Sequence, residues 1–247
     1  MKAFGTHFKT ELKLSLRGMD MVIFAICMPV VVMVILGIIY GSKPAFSGAS
    51  YSFLEQSFGA VAAIAVCAGG VMGLPLVVSD YRNKKILKRF KVTPVSPTMI
   101  LLVLVAIYTL YALVSLLLVY ITARVFFGCT FGGAWLQFIG AYLLVLLSMF
   151  SIGMMVGGIS PNVKTANILC CVLYFPMLIF SGTTLPYEVM PKALQKVADF
   201  MPLTQGIKLL KVTSLGLPSD GVLLPIFVMS VLAIICVGVS IRFFRWE

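Results

Sequence analysis

The chain has 247 residues, of which 61% are hydrophobic and 11% charged, and its formal net charge is +11. A soluble domain carries about 25% charged residues; at a mean hydropathy of +1.09 too few charges remain to build a water-facing surface. The basic excess falls in short segments between long apolar runs, which is the pattern of membrane topology and not of a nucleic-acid surface.

Residues 1–18 set Phe4, Phe8, Leu12 and Leu16 four apart, with Lys9, Lys13 and Arg17 in the adjoining stripe. That spacing predicts an interfacial amphipathic helix over residues 1–20, with its apolar side chains in lipid and its lysine stems reaching toward headgroups. Such a helix serves either as a topology anchor or as a surface for a partner subunit. The apolar run over residues 21–40 is of spanning length, longer than the roughly 7–15 residues of a cleaved leader, and is read as a retained first helix.

A helix needs about 20 apolar residues to cross a bilayer. Six stretches qualify: residues 21–40, 57–78, 98–127, 134–159, 165–181 and 222–241. None contains Asp, Glu or Lys, and Arg124 lies near an end of the third, where it can reach the interface. The strict alternation of a membrane barrel is absent. The expected fold is an all-α membrane protein of six transmembrane helices.

Six spans put both termini on one side. That side would hold Lys2, Lys9, Lys13 and Arg17, then Arg82, Lys84, Lys85, Lys88, Arg89 and Lys91, then Lys164, Arg242 and Arg245. The other side would hold Lys43, Arg124, Lys192, Lys196, Lys208 and Lys211. The positive-inside rule therefore predicts cytoplasmic termini.

The loops differ in character. Residues 41–56 are short and polar, and residues 128–133 are a minimal turn. Residues 182–221 are too long for a turn. Pro191 suits the first turn of a helix. Met190, Leu194, Val197 and Met201 follow at helical spacing, with Lys192, Gln195, Lys196 and Asp199 between them. Pro202 ends that helix, and a second is expected over residues 204–214. The prediction is a re-entrant pair in a V before the sixth span, within residues 182–215.

The segment 80–97 joins the second and third spans. It carries Arg82, Lys84, Lys85, Lys88, Arg89 and Lys91 against the single acid Asp80. One reading is a basic loop held by anionic lipid, at about 1 kcal/mol per Lys or Arg near the surface. The other is a short helix that docks on a cytosolic partner. Ile86, Leu87 and Phe90 supply an apolar face for docking, and Thr93-Pro94 and Ser96-Pro97 stop the helix.

Chemical machinery is missing. No GxxxxGK[ST] is present to cradle ATP phosphates. The single histidine, His7, provides neither an intramembrane base nor a metal cluster. The six cysteines form no CxxC pair and read as small apolar residues. The acids Glu11, Asp20, Glu55, Asp80, Glu188, Asp199, Asp220 and Glu247 all fall outside the apolar centres, so an ion-coupled carrier lacks its usual groups. No catalytic residue and no metal site is expected, and energy for transport would come from outside the membrane region. Gly37 with Gly41, Gly69 with Gly73, and Gly153 with Gly157 form GxxxG pairs, which serve either packing within the chain or a contact between copies. Pro29, Pro75 and Pro176 fall within spans and are expected to kink them.

Taken in order, these features resemble the ABC-2 type family, the membrane subunits of bacterial ABC exporters. The amphipathic N-terminal helix precedes the first span. Segment 80–97 is similar to the family's coupling helix, with Asp80 where the family commonly has Glu. Phe180 to Pro186 resembles the end of its fifth span. Met190 to Leu194, through Met201 to Thr204, resembles its re-entrant helices. The likeness covers essentially the whole chain as one transmembrane domain, residues 1–247.

The resemblance implies a permease subunit in the bacterial inner membrane that is not itself an enzyme. Its implied partners are a cytosolic ABC ATPase, which carries the ATP and Mg, a second permease copy (homodimer or related heterodimer), and lipid, with no nucleic acid. It implies ATPase-coupling roles for Asp80, Tyr81, Arg82, Lys84, Lys85, Leu87, Arg89 and Phe90. It implies an outer gate at Ser181, Gly182, Pro186, Pro191, Met201 and Pro202, and a pathway along the first, second and fifth spans. The absence of buried charge and the wealth of Phe, Met and Leu favour an apolar or amphipathic cargo, such as a drug, antibiotic, lipid or hydrophobic peptide. A self-contained channel or facilitator and a non-transporting scaffold are the competing readings.

Overall fold

A computed structural model describes residues 2–18, 22–41, 43–45, 51–86, 97–181, 191–218 and 221–243. Among them the chain is helical, with no strand beyond one isolated bridge between Pro44 and Ser52. The helices are α1 (Lys2–Gly18), α2 (Ile23–Tyr40), α3 (Phe53–Asn83), α4 (Pro97–Phe127), α5 (Trp135–Ile159), α6 (Val163–Phe180), α7 (Lys192–Phe200), α8 (Pro202–Leu215) and α9 (Leu223–Phe243). Six of these, α2 to α6 and α9, are long and apolar enough to cross a membrane.

The spans share the burial unequally. In α3 78% of the apolar stretch is buried, against 22% in α2 and α9 and 17% in α6. Helix α3 is therefore the hub. It packs against α2, α4, α5, α6 and α8, and its alanines, glycines and valines let each neighbour approach closely. Helix α5 is the second axis. It lies along α9, to which Ser148 is bound by a hydrogen bond from its Oγ to the Met229 carbonyl at 2.9 Å.

Two of the three expected proline kinks take a particular form. Proline lacks the N–H for an i→i−4 bond, and its ring clashes with the carbonyl four residues back. Pro29 and Pro75 each follow a π-helical turn, at Ile23–Cys27 and Ala68–Gly73. The turns close with Met28 N–H on Ile23 O and Leu74 N–H on Gly69 O, five residues back, so the widened turn makes room for the ring. The two π turns touch each other.

One of the three glycine pairs, Gly153 with Gly157, is used inside the chain. A Cβ on Gly153 would overlap the carbonyl oxygen of Gly70 and lie 3.2 Å from Pro75 Cδ. One on Gly157 would lie 3.0 Å from Pro75 Cα and Val78 Cβ. The backbones of α3 and α5 thus cross at close range, as small residues allow in lipid. A Cβ on Gly37 would overlap the ring of Phe127.

Helix α1 is amphipathic as expected, but its apolar side chains divide. Phe8 and Leu12 pack on Val103, Ile107 and Tyr111 of α4 and on Ala25 of α2, while Phe4 and Leu16 stay exposed. Tyr111 Oη donates to Ser15 Oγ at 2.9 Å. The helix is bound to its own spans along one face. On the opposite side of the bundle lie α7 and α8. Helix α8 buries Leu203, Leu209 and Leu210 against the spans, with Gly59 of α3 close to Leu210. It ends at Gly216, whose φ of 65° is the left-handed conformation that favours glycine at a helix C-terminus.

Candidate functional site

Two ends of the bundle hold the expected functional residues. The first is the tip of α3. Asp80 to Asn83 are the last turn of the spanning helix, and the break comes only at Lys84 and Lys85. Lys85 has φ 55°, a conformation that costs a non-glycine residue about 1–2 kcal/mol. Lys85 N donates to Arg82 O at 2.8 Å and Lys84 N to Asp80 O at 2.9 Å. Lys84 Nζ pairs with Asp80 Oδ2 at 2.8 Å, an exposed i,i+4 pair worth well under about 1 kcal/mol.

Of the three residues between them, Tyr81 and Arg82 point inward. Tyr81 Oη donates to Glu11 Oε2 of α1 at 2.7 Å. Arg82 is 8% exposed, and its Nη1 donates to Gly157 O at 2.9 Å and Ser160 O at 2.8 Å. Gly157 O lies in the last turn of α5 and Ser160 O just beyond it, where no next turn is available to supply amide partners, and a cation there also complements the helix dipole. Arg82, expected among the coupling residues, thus points into the bundle. Val78 and Arg82 follow Pro75 on the face of α3 that Gly157 meets, and the bare backbone at Gly157 lets the helices come close enough for the guanidinium to reach. Of the basic residues expected here, Lys84 and Lys85 stand exposed among the described residues. Leu87, Arg89 and Phe90 lie outside the described residues.

The second end is the corner between α6, α7 and α8. Ser181 is buried, with its Oγ donating to Leu178 O at 2.7 Å. Pro191 caps α7, and Met201 and Pro202 form the corner between α7 and α8. Gly182 and Pro186 lie outside the described residues. Three residues that the sequence reading did not single out tie the corner together. Thr204 Oγ1 donates to Phe180 O at 3.3 Å, Gln205 Nε2 donates to Asp199 O at 2.5 Å, and Lys208 Nζ meets Asp199 Oδ1 at 2.5 Å. Polar residues following Pro202 on a helix that is otherwise apolar were the available signal. The apolar face expected on α7 exists, but Leu194, Val197 and Phe200 are exposed and Ala198 alone is buried.

The same side of the molecule holds the start of α3. Ser52 and Glu55 form a reciprocal capping box, with Ser52 N on Glu55 Oε2 at 2.9 Å and Glu55 N on Ser52 Oγ at 3.2 Å. The other carboxylate oxygen accepts from Thr130 N at 2.8 Å and Thr130 Oγ1 at 2.7 Å. Glu55 thus fastens the turn between α4 and α5 to α3. In that turn the Cys129 thiol is pushed up to about 11, first by burial and then by the Glu55 charge. Beside it Phe58, Phe131, Trp135 and Phe138 form an aromatic cluster in which Phe131 and Trp135 stack with ring centres 4.0 Å apart and Phe131 meets Phe58 edge-on.

Six spans, four of them packed on the buried α3 and α9 on α5, with one tip leading into a basic segment and a helical corner capping the far side, define a multi-pass α-helical membrane protein. The chain belongs to the ABC-2 type transporter family, whose model matches residues 2–215. Nodulation protein J of Rhizobium leguminosarum bv. viciae is 32% identical to it over 99 residues, which are 40% of this chain and 38% of that protein. The similarity thus spans less than half the length of that relative.

Proposed function

We propose that the chain is the membrane subunit of an ATP-driven exporter, with both termini in the cytoplasm and a second copy completing the pathway. The observation that carries this reading is the continuity of α3. The most buried helix of the molecule runs unbroken to Asn83 and hands the chain, at the exposed Lys84 and Lys85, to the basic segment. A cytosolic ATPase that grips that segment acts directly on the hub of the bundle. The positive-inside distribution of Lys and Arg supports this orientation.

The outward faces of α2 and α6 support an apolar or amphipathic cargo. They expose Phe24, Val31 and Ile35, and Ile168, Val172 and Phe175. These side chains bind by burial of apolar area, which favours an apolar or amphipathic substrate. The corner at Ser181, Met201 and Pro202 acts as the outer gate, and the residues at 182 and 186 complete it.

The test is co-expression with the ATPase and reconstitution in liposomes, read by ATP-dependent movement of a fluorescent amphipathic dye. Lys84→Glu with Lys85→Glu and Arg89→Glu is expected to abolish dye movement. Unchanged ATPase capture and unchanged dye movement in that variant would overturn the coupling assignment. Dye flux through the permease alone, without ATP, would establish a facilitator instead.

A further inference from the structure

We propose that Arg82 is a positioning residue for transport, which locks the tip of α3 to the α5–α6 turn so that both move as one body. The inference rests on the exporter reading above and adds to it the route by which motion reaches α6.

Three features of the structure carry it. The guanidinium is buried, and a single nitrogen donates to two carbonyls, Gly157 O and Ser160 O, at 2.9 and 2.8 Å. Arginine stays charged at any working pH, and a hydrogen bond from a charged donor is about twice as strong as a neutral one. The lock therefore does not open by titration. Its second acceptor is not part of α5 but the first residue of a three-residue turn. Ser160, Pro161 and Asn162 join α5 to α6, and Asn162 Oδ1 already accepts from Thr165 N at 2.8 Å as the cap of α6. A turn so short, capped on one side and gripped on the other, cannot absorb a displacement of the α3 tip. The displacement passes to the start of α6.

The second feature is the position of Arg82 in the chain. It stands two residues before Lys84 and three before Lys85, where the helix ends in its left-handed turn. A pull on the basic segment meets Arg82 before it meets any other inward-facing cation among the described residues. The third feature is the slightness of α6's own packing. It is the least buried span, so its position at this end depends on its attachments.

Spin labels at Asn83 and Lys164, both exposed, report on the lock. The full chain, assembled with its ATPase in nanodiscs, is measured by pulsed dipolar spectroscopy without nucleotide and with ATP plus vanadate. The native Arg82 is expected to give one narrow distance that does not change with nucleotide. Arg82→Gln is expected to lose that fixed separation when nucleotide is added, and Arg82→Lys, which keeps the charge but not the fork, to lose it in part. A purely structural role would alter the distance equally with and without nucleotide, which would overturn the inference. So would a nucleotide-invariant distance in both variants. If Arg82→Gln does not fold, Arg82→Lys decides the matter alone. Failure of the native complex to hydrolyse ATP counts against the exporter reading, independently of the distances.

Discussion

Substituting Gly153 by Ala tests the close crossing on which the bundle depends. The new Cβ overlaps the carbonyl oxygen of Gly70, lies 3.0 Å from its carbonyl carbon and 3.2 Å from Pro75 Cδ. Neither neighbour is the free end of a flexible side chain, so the two helices must separate. Overpacking of this kind costs about 1–3 kcal/mol. The gain in helix propensity of Ala over Gly, about 0.8–1.0 kcal/mol, offsets part of that. Separation at Gly153 also lifts Gly157, one turn further on, away from Arg82 and weakens two charge-assisted bonds. The net loss is then about 1–3 kcal/mol, or a fall in melting temperature of roughly 2–12 °C by the scaling for chains of this length. Thermal unfolding of the purified protein in nanodiscs measures it. Gly140→Ala is the control, since nothing lies within 4 Å of its Cβ, and it should leave stability unchanged or raise it. A Gly153→Ala protein that melts with the native one, or a Gly140→Ala protein that falls as far, would refute the crossing.

Tyr81→Phe removes the hydroxyl bonded to Glu11 and should speed amide exchange in α1 about tenfold, for a loss of about 1.5 kcal/mol, without moving exchange in α8. Ser52→Ala should lower stability by about 1 kcal/mol through loss of the capping box, read as a lower melting temperature. A variant with Cys129 as its sole cysteine should react slowly with maleimide at neutral pH, because the raised value of about 11 leaves little thiolate. Its rate should climb until about pH 11 instead of levelling near the ordinary 8.5, and Glu55→Gln, by removing the nearby charge, should bring the plateau to lower pH.

Much of the architecture was legible because the bilayer imposes a crude rule. All six spans expected from apolar length appear, with ends shifted by a few residues. The largest shift is in the second, expected over residues 57–78 and found over Phe53–Asn83. The apolar criterion stopped where Glu55 and Asp80 begin, while the helix continued through both because its ends are capped and packed. The helix after Pro191 and the break at Pro202 were readable from proline alone. The destination of each side chain was not. Arg82 looked like its basic neighbours, and nothing local distinguishes a cation that faces solvent from one that finds two helix-end carbonyls seventy-five residues away. The Ser52–Glu55 cap was not read from the sequence, which left residues 41–56 as a polar loop, and its second partner at Thr130 depends on the fold.

The widened turn in the hub helix has a consequence for phase. Gly70 and Pro75 both meet Gly153, although residues five apart in a regular α-helix lie about 140° from one another on its surface. The widened turn at Ala68–Gly73 absorbs that offset, and if the same residues were wound as a regular α-helix Pro75, Val78 and Arg82 would swing about 100° away from α5. Deleting one residue within this stretch therefore lets it close as a regular α-helix with the α5-facing side kept, whereas a helical wheel drawn straight through it assigns Arg82 to the wrong side of the molecule.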